Sequence, residues 1–283
     1  MKRLQIIDST TITLFSNLIF KGVGRHPKTG KKKGGIKVHT VIHANEGVPS
    51  DIRFTSAATN DSFMLKPQTL NKGDILAMDR AYIDYEKFEQ LTERGVIYVT
   101  KMKKKLNFRI LSDTMFQTPD GLMEVRVQQV TFTKQIKGSG QRIMHHARII
   151  THVNEKKHKL ISLLTNDLES DPVEVIAMYR KRWEIELLFK QMKQQNFPLK
   201  YFYGESANAI KIQIWVTLIA NLLLMVMQRG LKRSWSFSRL ATMVRINLMY
   251  YVDFYSLFNH PEKDWEKLLD VASLTPKEPS LFD

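Results

Sequence analysis

The sequence predicts an α/β fold with a β-rich insertion and a helical C-terminal part. Three patterns point there. Residues 1–102 read as three strands followed by helix, strand, helix and strand, 103–166 turns to strand-like patterns again with alternation in EVRVQQVTFT, and helical patterns take over from Pro172 onward. At 43% hydrophobic and 25% charged over 283 residues, the chain is long enough to bury a sizeable core, and its composition excludes disordered, collagen-like or repeat architectures.

Taken in order, residues 4–15, rich in Ile, Thr and Leu, read as a strand, as do 36–44 and 51–57, with Gly and Pro punctuation between them. Three successive strands with short connections suggest an antiparallel meander. Between the first two lies a mobile, cationic loop holding Lys21, Arg25, Lys28, Lys31, Lys32, Lys33 and Lys37 and no acid. A helix is expected over 62–70. Residues 74–79 (DILAMD) form a short apolar run ending in an acid, as a buried central strand would, and 84–94 and 96–102 follow as helix and strand. From 103 to 166 the alternation in EVRVQQVTFT, a turn at Gly138-Ser139-Gly140 and the runs ARIITHV and KLISLLT predict further strands. Asp171 caps a helix that opens with Pro172 and runs to about Gln195. Helices near 206–229, 236–249 and 262–272 complete the chain.

The chain carries 43 Lys plus Arg against 28 Asp plus Glu, a net charge of +15. Such an excess suits nucleic acid, an anionic membrane or simple solubility. There is no cysteine, so disulfides, thiolate zinc sites and cysteine nucleophiles are excluded, and any metal must sit on Asp, Glu or His. Gln5 and Asp8 interrupt the apolar core an export signal would need, which together with the cysteine count predicts a cytoplasmic protein. The apolar run Ile212–Met227 is 16 residues long and contains Gln213, Thr217 and Asn221, so it reads as a buried helix and not a membrane span.

Three acids stand out. Asp8 lies within a strand pattern, where a carboxylate is disfavoured unless paired or bound to a cation; the alternative is a strand that ends early. Asp79 closes a buried strand and precedes Arg80, Ala81 and Tyr82, well placed for a site or for a simple helix cap. Glu186 belongs to the late helix. Projected at about 100° per residue, Tyr179, Arg182, Glu186 and Lys193 share an arc of roughly 60°, with Lys190 beside it and Trp183 flanking. A ladder of ion pairs, Arg182 to Glu186 to Lys190, would produce the same stripe. Together, though, three acids from separate elements could hold the pair of divalent ions used in phosphoryl transfer on DNA.

The spacing Tyr179-x2-Arg182-x3-Glu186-x6-Lys193, with DRAY at 79–82 and IIDST at 6–10, resembles the DDE transposases of the bacterial insertion-sequence-four group. The likeness covers nearly the whole chain. It implies a ribonuclease-H-like core in two parts, 1–102 and 167–230, an inserted β-rich subdomain at 103–166 and a helical region at 231–283. It implies that Asp8, Asp79 and Glu186 are catalytic and bind Mg2+ or Mn2+, two ions per site. Tyr179, Arg182 and Lys193 would contact DNA at the transposon end. Terminal inverted repeats and target DNA would be the partners, with two protomers on paired ends, no membrane and no small-molecule cofactor. Ala81 stands where the family more often has Gly. The chain begins seven residues before Asp8, ahead of which family members carry a DNA-binding region, so a truncated copy is expected.

Secondary DNA contacts are expected from Lys190, Trp183, Arg80, Tyr82, the loop lysines Lys31, Lys32 and Lys33, and the run Lys103, Lys104, Lys105 that continues to Arg109. For Trp183 core packing is the simpler reading and base stacking the rarer one. His145, His146 and His152 could be taken as a metal cluster, although strand histidines are more often surface residues. The activity that follows is cleavage at element ends and transfer of the freed 3′ hydroxyl to target DNA. A non-catalytic DNA-binding remnant, or a metal-dependent nuclease of the same core, are the rivals.

Overall fold

The computed structural model describes residues 3–14, 21–25, 32–103, 106–118, 124–135, 140, 142–154, 158–195, 199, 201–249 and 253–263. Its strands are β1 (Leu4–Leu14), β2 (Lys21–Arg25), β3 (Lys32–His43), β4 (Val48–Ser56), β5 (Ile75–Met78), β6 (Ile97–Lys101), β7 (Arg109–Gln117), β8 (Glu124–Gln135), β9 (Arg142–Asn154) and β10 (Lys159–Thr165). Helices α1 (Tyr85–Glu93), α2 (Pro172–Arg180), α3 (Trp183–Lys190), α4 (Ala207–Gly230), α5 (Phe237–Asn247) and α6 (Phe254–Asn259) follow the same order.

All the described strands belong to one sheet, ordered β2-β3-β1-β5-β6-β10-β9-β8-β7, with β4 also paired to β3. The antiparallel run β1-β3-β4 is the expected meander, and the predicted loop is partly strand: Lys21 and Arg25 of β2 pair with Gly34 and Lys32. Glycine and lysine there carry little strand signal, and pairing along β3 overrides their propensity. At the centre β5 lies parallel to both β1 and β6, and where the three pair, Ile6, Ile7, Ala77, Met78, Tyr98 and Val99 are buried on both faces, as parallel strands generally are.

The insertion does not stand apart. Strand β10 pairs antiparallel with β6, and β9, β8 and β7 extend the same sheet outward, so 103–166 shares a core with the first part. Phe132 of β8 stacks on Tyr85 of α1 at 4.8 Å, and Phe88 of α1 stacks on Tyr98 of β6 at 3.9 Å. Helix α1 is capped by Asp84 and ends at Gly95, whose φ of 67° turns the chain back into β6. On the opposite face α2 lies on β5 and β6, and α3 on β1.

Residues 62–70 are not an α-helix. Asn60 caps a short 3-10 turn at Asp61–Met64, and a second occupies Pro67–Thr69, because Pro67 cannot supply the amide a continuous helix needs. The long helix predicted from 172 is also divided. Asp171 caps it and Pro172 opens it as expected, but bonds from the Arg182 amide to the Tyr179 carbonyl and from the Glu184 amide to the Lys181 carbonyl tighten the chain at 181–182. A turn of π-helix, Gln191–Gln195, follows α3.

Contacts divide the chain into two compact units. One comprises 1–191 with 200–211, and the other 192–199 with 212–283. The second is built around Leu224, Leu240 and Phe258, with the Trp235 indole donating to the Phe258 carbonyl at 2.9 Å. Helix α4 is 24 residues long, long and apolar enough to cross a membrane, because the counted apolar run extends at both ends into further helical residues. It is not the buried helix the sequence suggests: Thr217 and Asn221 are buried, while Ile212, Val216, Ile219, Leu223 and Val226 are exposed. The predicted helix at 262–272 lies largely outside the described residues.

Candidate active site

The site assembles at the C-terminal end of the parallel strands. Ile7 of β1 pairs with Met78 of β5, so Asp8 and Asp79 are the next residues on adjacent strands. Strand alternation places them on the face shared with Ile6 and Ala77, the face α3 covers. Asp79 turns out of β5 as the cap of a 3-10 turn at Arg80–Tyr82, its Oδ2 accepting from the Ala81 amide at 3.4 Å.

Tyr179 comes from α2, Arg182 from the turn that follows it and Glu186 from α3. The Arg182 guanidinium is the bridge of the site: Nη1 donates to Asp8 Oδ2 at 2.8 Å and Nη2 donates to Glu186 Oε1. The Tyr179 ring lies 5.7 Å from the guanidinium carbon. Arg182 Nε is buried with no acceptor. Asp8 also accepts the Ser9 amide at 2.8 Å, a contact no sequence pattern announced.

Burial pushes the Asp8 carboxyl up to about 6, against the Ser9 amide and Arg182, while Asp79 and Glu186 reinforce the rise by like-charge repulsion. Asp79 and Glu186 thus lie near enough to act on Asp8 electrostatically. Burial also works against the Arg182 guanidinium, but Tyr179, Asp8 and Glu186 outweigh it and hold the group charged. Hard carboxylate oxygens are the donors Mg2+ and Mn2+ favour, and they come here from three elements. The donor chemistry fits such ions. As placed, however, no three acidic or histidine side chains among the described residues are gathered closely enough to hold a metal, since the guanidinium lies between Asp8 and Glu186.

The other predicted residues divide sharply. Arg80 and Lys190 are exposed and Lys103 is half-buried. Trp183 is 60% exposed, which corrects the expectation of core packing: the tightened turn before it leaves its side chain outside while Ile185 and Leu188 point in. Tyr82 is fully buried and offers no surface to DNA, because the turn capped by Asp79 carries it into the core. Lys193 is half-buried in the other compact unit, where burial lowers its ammonium. Lys32 and Lys33 open β3, and their side chains, with Lys31, Lys104 and Lys105, lie outside the described residues.

The histidines form no cluster. His145 is buried, its Nδ1 2.6 Å from Glu89 Oε2 and its Nε2 2.7 Å from the Tyr98 hydroxyl, whereas His146 meets Thr131 and His152 its neighbour's carbonyl. This is a satisfied core network of the kind buried polar groups require.

Comparison with known proteins shows the family. A family model described as "Transposase DDE domain" matches residues 1–223. The chain is 27% identical over 226 residues to "Putative transposase y4zB" of Sinorhizobium fredii, covering 80% of this chain and 61% of that protein. It is 27% identical over 232 residues to "Probable transposase for insertion sequence element IS5377" of Geobacillus stearothermophilus, covering 79% and 56%. The chain thus spans less than two thirds of the length of these relatives. The match runs through the strand of Asp8, the end of the strand of Asp79 and the helix of Glu186, and the chain belongs to the transposase DDE domain family.

Proposed function

We propose that this chain is the catalytic core of an insertion-sequence transposase, cutting DNA at element ends and joining the freed 3′ hydroxyl to target DNA through a ribonuclease-H-like acid triad. The observation that carries the reading is that Asp8 and Asp79 stand at neighbouring positions on adjacent strands while one part-buried guanidinium, Arg182, joins Asp8 to Glu186 of the helix. Divalent ions bound there would neutralise charge on the attacking and leaving oxygens of an in-line displacement. Asp8, Asp79 and Glu186 would hold them.

Arg182 has the remaining part. With the acids engaged elsewhere, its two donors are released, and with the already unpaired Nε they form a fork suited to a phosphate oxygen. The Tyr179 ring beside it would hold the guanidinium in place. Exposed Arg80 and Lys190, with half-buried Lys103, supply sequence-independent contacts to the backbone. Two protomers on paired ends would complete the reaction.

The test is cleavage and strand joining on an element-end duplex with Mn2+, using the parent and Asp8→Asn, Asp79→Asn and Glu186→Gln. Each swap removes one charge and hardly changes shape. Each should lower cleavage by at least about a thousandfold while leaving DNA binding largely intact, a loss of about 4 kcal/mol in transition-state stabilisation. Near-parent cleavage by Asp79→Asn would refute the triad. Nicking without joining would make the chain a nuclease, and no cleavage by the parent would make it a DNA-binding remnant.

A further inference from the structure

Behind the triad, on the opposite face of the sheet, lies a second polar cluster that the acids themselves do not require. Ser9 follows Asp8 and so points to the other face, which it shares with its β3 partner His39 and, two residues along, with Lys37. The turn at Asp61–Met64 brings Asp61 over this face. One oxygen, Asp61 Oδ1, accepts the Ser9 hydroxyl at 2.6 Å and lies 3.1 Å from the Lys37 ammonium and 4.0 Å from His39 Nδ1. Lys37 also donates to the Thr59 carbonyl at 2.7 Å, tying the segment that carries Asp61 to the sheet. His39 is fully buried and its Nε2 is 2.8 Å from the Thr55 hydroxyl. The Tyr82 hydroxyl is buried beside Ser9 with no hydrogen bond of ordinary geometry.

Such a cluster is costly to bury. A largely enclosed ammonium and carboxylate against a buried imidazole stabilise a fold no better than apolar side chains of the same volume. Its position relative to Asp8 gives it a use. Ser9 is joined to both acids, its amide to Asp8 Oδ1 and its hydroxyl to Asp61 Oδ1. The carboxylate of Asp8 is therefore fixed from one face by Arg182, and its strand is fixed from the other by Asp61.

We propose that Asp61 is a positioning residue for Asp8, acting through Ser9 and neutralised by Lys37. This rests on the reading of Asp8 as a metal-binding acid. Asp61 touches neither substrate nor metal; it sets where the Asp8 oxygens stand, as carboxylates behind metal ligands do elsewhere. When Arg182 leaves Asp8, the Ser9 link is what keeps the carboxylate aimed.

The experiment is Mn2+ affinity of the full chain by electron paramagnetic resonance, alongside thermal unfolding without metal. The variants are Asp8→Asn, Ser9→Ala, Ser9→Thr, and the charge-balanced pair Asp61→Ala with Lys37→Met. Ser9→Ala and the pair should weaken Mn2+ binding about 10- to 100-fold, the usual effect of removing a group behind a ligand. Ser9→Thr keeps the hydroxyl and should stay within a few-fold of the parent. Parent-like Mn2+ affinity in Ser9→Ala overturns the proposal whatever happens to its melting temperature, and decides the matter if the paired variant fails to fold. Equal Mn2+ affinity in Asp8→Asn and the parent would instead refute the metal-site reading, and this inference would fall with it.

Discussion

At the scale of single residues, Arg182 shows how far side-chain chemistry can be read from spacing. Its place beside Tyr179 and Glu186 follows from helical geometry, and that adjacency survives the tightened turn at 181–182. Its reach to Asp8, 174 positions earlier, could not be read in the helix, because the contact depends on α3 lying against β1. His39 gives a residue-scale prediction. Burial pushes its imidazole down to about 4, with Lys37 adding to the effect and Asp61 resisting it. The folded chain thus holds His39 neutral while the unfolded chain protonates it near its ordinary value of 6.5. Between those values the unfolded state binds more protons, so the contribution of His39 to stability is whole above pH 6.5 and is lost as pH falls towards 4. Melting temperatures of parent and His39→Gln across pH 4–7 should show a shallower acid decline in the variant. Parallel curves would mean that other groups carry the acid sensitivity. Ser9 and Asp61 escaped the sequence reading, and Lys37 was read only as part of the cationic loop, for a related reason: a serine after an aspartate and an aspartate in a turn are common, and only strand pairing and the turn at Asp61–Met64 bring the three together.

Among the elements, those with strong local signals were legible. Asp171-Pro172 marks the start of α2, the apolar run before Asp79 marks β5, and β8 and β9 alternate cleanly. Elements decided by pairing or by one interrupting residue were not. The β2–β3 pair hides in a glycine-lysine stretch, Pro67 divides an apparent helix into turns, and the polar residues of α4 face inward. The insertion was legible as strands but not as a continuation of the sheet, since β10 meets β6 across more than fifty intervening residues. Continuity has a measurable consequence. Phe132 is 1% exposed and packs between Tyr85 and Phe108 in the shared core. Phe132→Ala should cost about 3–5 kcal/mol, and denaturant unfolding of 1–191 should be lost as one unit, with fluorescence and circular dichroism tracing the same transition. An early, separate transition for the β8–β9 strands in the variant would show that the insertion is an independent body.

For the whole molecule, a +15 chain with the proposed acid triad at the C-terminal end of its central strands has two electrostatic tasks that conflict. The basic surface attracts a polyanion, while the acids would repel it unless a cation stands among them. In this structure that cation is Arg182, which bridges Asp8 and Glu186 and favours the ionised form of Asp8 against the burial that makes this carboxyl harder to ionise. In the proposed function, guanidinium and divalent ions would exchange at one place. The most direct measurement is anomalous diffraction from crystals of the chain soaked in Mn2+. The expected result is manganese within coordination distance of carboxylate oxygens from Asp8, Asp79 and Glu186, with the Arg182 guanidinium turned away from Asp8. Manganese absent from this site at saturating concentration, with Arg182 still bridging Asp8 and Glu186, would contradict the account.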